Sequence, residues 1–118
     1  MQLVTNTIDY YELAKMAGGP AQDTVLGAID IRKNQMALGF ALHADAAQFL
    51  NELGSYPDDI WGFTLSLSKF GTPAFVDCSA PINVRPQQHN RSFIIEDEDL
   101  RNKIVTVVTQ KIQAHASM

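Results

Sequence analysis

Cysteine occurs once in the 118 residues, at Cys78, so no disulfide framework can form. No Cys and His spacing fits a structural zinc site either. No apolar run approaches the roughly 18 residues needed to cross a bilayer. The start, MQLVTNTIDYY, has neither the basic segment nor the apolar block of a signal peptide. A cytoplasmic location is therefore expected, with no membrane association. The phosphate loop G-x-x-x-x-G-K-[ST] is missing, as is a Gly-rich dinucleotide turn, so no cofactor is implied. Glycine (7) and proline (5) are too few for collagen or low-complexity disorder. What is present is ordinary: 46% hydrophobic residues in a length that suits one domain over 1–118, able to bury ~65% of its unfolded surface.

Charge is unevenly placed. The formal −4 comes from 13 acids against 9 Lys and Arg, and four acids stand together as Glu96, Asp97, Glu98 and Asp99, which leaves nine against nine elsewhere. Behind that run Leu100, Ile104, Val107, Val108 and Ile112 repeat with helical spacing. The acids therefore mark a helix start, with Asp97 as N-cap and Asp97–Arg101 and Asp99–Lys103 as i,i+4 pairs. Conversely, no acid occurs from Cys78 to Ile95, where Arg85, His89 and Arg91 fall within seven positions. Two guanidiniums without a local counterion suit an anion, because their planar donors match carboxylate and phosphate oxygens. The overall acidity argues against nucleic acid.

Alternation and turn chemistry predict the remaining elements. Residues 2–5 read as a strand, and Ile8-Asp9 with Glu12 and Leu13 as a capping box and hydrophobic staple opening a helix that Gly18, Gly19 and Pro20 stop. Residues 25–32 and 35–43 alternate around a two-residue Lys33-Asn34 hairpin link. In the second of these strands Ala37, Gly39, Ala41 and His43 share a face, so either a helix lies closely on it or it floors a shallow groove with His43 at its rim. Asp45 and Gln48 form a second capping box for a helix over 46–53, ended by Gly54. IWGFTLSLS (60–68) is a strand with Trp61, Phe63, Leu65 and Leu67 on its core face. Strand 74–79 and the piece 82–85 follow. The expected fold is α+β: a largely antiparallel sheet of about five strands, in the order β-α-β-β-α-β-β-α, with two or three helices on one face.

Candidate chemistry concentrates at two places. His43 and Asp45, two positions apart, could share a metal or a proton, with Asp77 as a further carboxylate, although Asp45 has a complete role as a helix cap. Asn83, Arg85, Gln87, Gln88, His89, Asn90, Arg91 and Ser92 combine donors and positive charge in an irregular stretch, with Asn83, Arg85, Asn90, Arg91 and Ser92 as the candidate ligand contacts and Trp61 as a wall for a ligand. Cys78, between apolar neighbours, reads as a buried inert thiol.

The words Leu42-His43-Ala44-Asp45, Gly54-Ser55, Asp59-Ile60-Trp61-Gly62, Ile82-Asn83-Val84-Arg85-Pro86 and Asn90-Arg91-Ser92 resemble the signature of the small prokaryotic domain-of-unknown-function family 5674. The resemblance covers roughly residues 25–112 and implies no activity. Against its pattern, Pro81 stands where a non-proline residue is expected, and His89 where glycine is expected.

Two readings follow. The first is a ligand-binding or interaction module, expected as a homo-oligomer, that recognises a small anionic or phosphate-bearing ligand through Arg85, Asn90 and Arg91. The second is a small phosphoester hydrolase in which His43 with Asp45 or Asp77 activates water and Arg85 and Arg91 steady the developing charge. No metal site is assigned.

Overall fold

Capping acids and alternating apolar positions build the elements of a computed structural model, which describes residues 1–17 and 23–114. The helix stop at Gly18, Gly19 and Pro20 lies outside the described residues. Strand β1 is Gln2–Val4, and β2 is the two-residue Ile8–Asp9. Asp9 then caps α1 (Tyr10–Lys15) by accepting the Tyr11 N–H. Strands β3 (Thr24–Asp30) and β4 (Gln35–Leu38) form the hairpin, and α2 spans His43–Glu52. Strands β5 (Ile60–Ser66) and β6 (Val76–Asp77) precede α3 (Glu98–Lys111) and the short β7 (Ile112–Gln113). Asp97 caps α3, accepting the N–H groups of Asp99 and Leu100 at 2.9 and 3.2 Å.

One antiparallel sheet of five strands, in the order β1-β4-β3-β5-β6, organises the molecule. Pleating sorts its side chains to two sides. Val25, Ile29, Met36, Leu38, Trp61, Phe63 and Leu65 form the larger core with Leu13 of α1 and Ile104 and Val108 of α3. On the opposite face Ala28 and Ala37 meet Ala46 and Leu50 of α2.

The expectation of helices on one face is therefore corrected: α2 covers the second. Small residues in β3 and β4 do not mark an exposed face here. They let a helix approach the backbone closely, the first of the two alternatives for that face. The sequence also does not announce β2 and β7, which pair in parallel over two residues each, too short for any period to show.

Several local readings are corrected as well. Gly39 takes φ +82°, a left-handed conformation that ends β4 at Leu38. The chain then turns, so Phe40 leaves the strand to pack on Phe49 (ring centroids 5.3 Å) and His43 opens α2 rather than closing a strand. Asp45 consequently sits in the first turn of α2 and is not its cap; the N-cap is Leu42, with no side-chain capping bond. The hairpin link contains four residues, 31–34, because the Asp30 carboxylate accepts the N–H groups of Arg32 (2.9 Å) and Lys33 (3.0 Å) and makes its own turn. The i,i+4 pairs of α3 do not form: Arg101 donates to the Ile95 carbonyl at 2.8 Å and Lys103 to the Ile31 carbonyl at 3.2 Å. Among the described residues the ion pair is Lys15–Glu12, on α1.

Asp30 supplies a pH prediction. Its carboxylate is buried and accepts the Ser55 hydroxyl at 2.5 Å. Burial pushes its pKa up, but the Ser55 hydroxyl, the Lys33 and Arg32 N–H groups and the Lys33 charge outweigh that and hold it below the usual carboxylate range. Because the folded value is the depressed one, its contribution is present above the unfolded value near 4 and is lost as pH falls through the folded value. Urea unfolding between neutral and acid pH should show stability falling below pH ~4, and Asp30→Asn should flatten that part of the curve. An unchanged slope in the variant would remove Asp30 from this role.

Candidate functional site

The outer edge of β5 organises the polar residues. In an antiparallel pair alternate residues point their N–H and C=O groups to the same side. Along β5, Thr64 and Leu65 lie opposite Asp77 and Val76 of β6, and the Ser66 N–H donates to the Phe75 carbonyl at 3.0 Å. β6 is too short to reach Gly62 and Ile60. There the Gly62 N–H donates to Asn83 Oδ1 (2.8 Å), Asn83 Nδ2 donates to the Gly62 carbonyl (3.0 Å), and Arg85 donates to the Ile60 carbonyl. Side chains thus complete the edge where a longer β6 would have done so.

A second asparagine acts in the same way one layer out. Residues Ser79 and Ile94 form an isolated antiparallel bridge just past β6. Asn90 Nδ2 lies 3.0 Å from the carbonyls of both Ser92 and Ile94, and its Oδ1 accepts the Glu96 N–H at 2.8 Å. Its Nδ2 also reaches the Asn83 carbonyl at 2.7 Å, tying the two asparagines together. Both are buried.

Arg85 is fixed just as firmly. Its Nε–H donates to the Ile82 carbonyl (2.9 Å), and one terminal nitrogen donates to the Pro57 carbonyl (3.0 Å) and Gln88 Oε1 (3.2 Å). The other holds the Ile60 carbonyl, and the guanidinium lies 4.3 Å from the centre of the Trp61 ring. Of five N–H donors, four are committed. No described carboxylate lies within 4.0 Å of it. Burial lowers its pKa and the Asp58 charge opposes that. Arg85 lines a cleft of about 310 Å³ together with Gln48 and Asn51 of α2, Asp58, and Gln87 and Gln88 of the turn Pro86–Gln88.

The other candidates fall elsewhere. Arg91 is exposed; its backbone N–H and that of Ser92 bond the Glu96 carboxylate, and the Ser92 hydroxyl donates to the Ile94 carbonyl at 3.0 Å. Glu96 thus closes this loop instead of serving α3, a role that its place in an acidic run concealed. His89 sits at φ +61°, a left-handed conformation that glycine adopts freely, in keeping with the glycine expected there. Pro81 opens a single 3₁₀ turn, Pro81–Asn83, at a position where its missing N–H costs nothing.

His43 Nε2 lies 3.1 Å from the Phe63 carbonyl and 3.0 Å from Thr64 Oγ1. A carbonyl can only accept, so Nε2 carries the proton. Burial lowers the His43 pKa, while the Phe63 bond and the charge of Asp77 raise it, with burial dominant. A histidine-detected NMR titration should show the Nε2–H tautomer and a midpoint below 6.5; a midpoint above that value would contradict the geometry. Asp45 is exposed on the first turn of α2. Cys78 is buried and its thiol is pushed up to about 11, so at neutral pH it is a thiol and not a nucleophile. Among the described residues no three His, Cys, Asp or Glu side chains gather as a metal would need, and no helix is long and apolar enough to cross a membrane.

Sequence reasoning missed Gln48 and Asn51 as cleft residues, while Gln87 and Gln88 belong to the donor-rich stretch it singled out. An exposed amide carries no signal until a cation is placed beside it. Three of the five words meet: Trp61-Gly62, Asn83, Arg85 and Asn90 form one connected network, His43 reaches the same strand farther along, and Ser55 bonds Asp30 instead.

The sequence model of a family described as a protein of unknown function, DUF5674, matches residues 2–111, extending the region covered by the words toward the N-terminus. No curated protein and no solved structure matches the chain.

Proposed function

We propose that this chain, which belongs to the DUF5674 family, is a binding module that takes a small anionic ligand, bearing phosphate or carboxylate, in the cleft beside Arg85. One observation carries the reading. The Arg85 guanidinium is half-buried, has one N–H uncommitted and has no carboxylate within 4.0 Å among the described residues, yet it lines a cleft of about 310 Å³. A cation held in place by neutral carbonyls keeps its charge for an incoming anion and loses little side-chain entropy on binding. Asn83 and Asn90 act as positioning residues in this reading. Trp61 backs the guanidinium, its ring centre 4.3 Å away.

Hydrolysis by His43 and Asp77 is the weaker reading. The two are electrostatic neighbours, but His43 bonds the Phe63 carbonyl whereas Arg85 bonds that of Ile60. Three residues along a strand place the histidine ~10 Å from the arginine that would have to stabilise the charge.

The test follows the Arg85 Nε–H by NMR during a titration with inorganic phosphate at low salt. The signal should shift saturably. Asn51→Asp, which puts a second carboxylate into the cleft from the exposed face of α2, should weaken binding about tenfold or more, since like charges at ~4 Å repel by ~1–4 kcal/mol. A signal that does not move, or a variant that binds equally well, would overturn the proposal.

A further inference from the structure

A different cleft, far along the chain from Arg85, gathers polar groups that the fold does not use. Lys111 is the last residue of α3 and is buried, with only 9% of its surface exposed. Its Nζ donates to the backbone carbonyl of Thr5 at 2.6 Å, which occupies one of three ammonium protons. No carboxylate lies within 4.0 Å of it among the described residues. Around it, a cleft of about 330 Å³ is lined by Thr5, Asn6 and Thr7 of the β1–β2 link, Asn34 of the hairpin turn, and Gln110 of α3.

The side chains of these five residues form no hydrogen bond with any described residue, although three are amides and two are hydroxyls. All five are exposed and free to turn toward the cleft, whereas the buried groups of the same kind are spent within the fold. Asn83 and Asn90 bind backbone, and Ser55 binds Asp30. A buried ammonium costs free energy unless charge or hydrogen bonds compensate it. One carbonyl is a partial answer, and no carboxylate supplies the rest.

The geometry points to a second site, at which Lys111 and this collar of hydroxyls and amides bind an oxyanion, a phosphate or a carboxylate group. Lysine offers a compact point charge suited to phosphate. The neutral collar supplies directional donors without the repulsion an acid would introduce. Three separate segments converge to make the cleft, so its shape depends on the folded chain. The site is independent of the Arg85 cleft, and the two proposals fail separately.

The experiment is an NMR titration of the full chain with inorganic phosphate and, in a parallel arm, with acetate, following backbone signals of residues 5–7, 34 and 110–111 and the Lys111 side chain. Saturable shifts of this set at millimolar anion are expected, with a binding curve of their own distinct from any at Arg85, and the arm with the tighter curve names the group. Two variants guard the result. Lys111→Met should abolish the shifts. Because it also leaves the Thr5 carbonyl unpaired and could weaken the fold, Asn34→Asp is made beside it. Position 34 has φ +55°, a conformation aspartate tolerates, and the new carboxylate should reduce affinity by at least tenfold without touching Lys111. Asn51→Asp, on the exposed face of α2 at the other cleft, should leave these shifts unchanged. Silence at residues 5–7, 34 and 110–111, shifts that persist in Asn34→Asp, or shifts lost with Asn51→Asp would each overturn the inference.

Discussion

Asn83→Ala should lower the unfolding free energy by about 3–5 kcal/mol, because two groups of Gly62 are orphaned at ~1–3 kcal/mol each and the loop loses its tie. Asn83 is fully buried, and its carboxamide satisfies both the N–H and the C=O of Gly62 while also donating to the Phe93 carbonyl at 3.2 Å. Truncation removes all three bonds, the two to Gly62 at a place water does not reach. Urea unfolding followed by circular dichroism reads the loss. A change below ~1 kcal/mol, the size of an ordinary solvent-exposed hydrogen bond, would mean that the edge of β5 finds other partners.

Gly62→Ala is expected to cost about as much, ~3 kcal/mol, by a different route. A Cβ at this position would meet Ala80 Cβ at 2.6 Å and Ile82 Cγ1 at 2.9 Å. Ala80 has no rotamer to change, so the turn Pro81–Asn83 must lift away from β5. That movement stretches the Asn83 bonds that hold the edge, and overpacking and lost hydrogen bonds then compound each other. Combined with Asn83→Ala, the second substitution should therefore cost much less than it does alone, since the two act on one contact. Full additivity in that double-mutant cycle would show that the glycine and the asparagine are independent.

The elements with strong periodicity were legible. Alternation in β3 and over most of β5 and the capping aspartates of α1 and α3 read correctly, because each depends on neighbours within a few residues. The words of the family resemblance include the residues that the fold joins along the edge of β5. What did not read were features set by partners distant in sequence. The end of β4 at Gly39 looked like continued alternation through Phe40 and Leu42. Asp45 looked like a cap because its spacing to Gln48 fits one, yet the helix had already begun at His43. Asn83 and Asn90 looked like ligand contacts because an asparagine in a polar loop carries no mark of burial. Only the shortness of β6 explains why they turn inward, and two residues of strand cannot be read as short from composition. Arg85 belongs to both descriptions, an edge residue through four donors and a candidate anchor through the fifth.

Native-state hydrogen exchange at the Gly62 amide tests the edge-completing role of Asn83 most directly. If the asparagine side chain serves as strand, this N–H should be protected to nearly the level of the Phe63 amide in the centre of β5, and Asn83→Ala should reduce its protection far more than that of Ala28 or Ile29 in β3. Exchange of the Gly62 amide at the rate of an open loop in the unmodified protein would contradict the account.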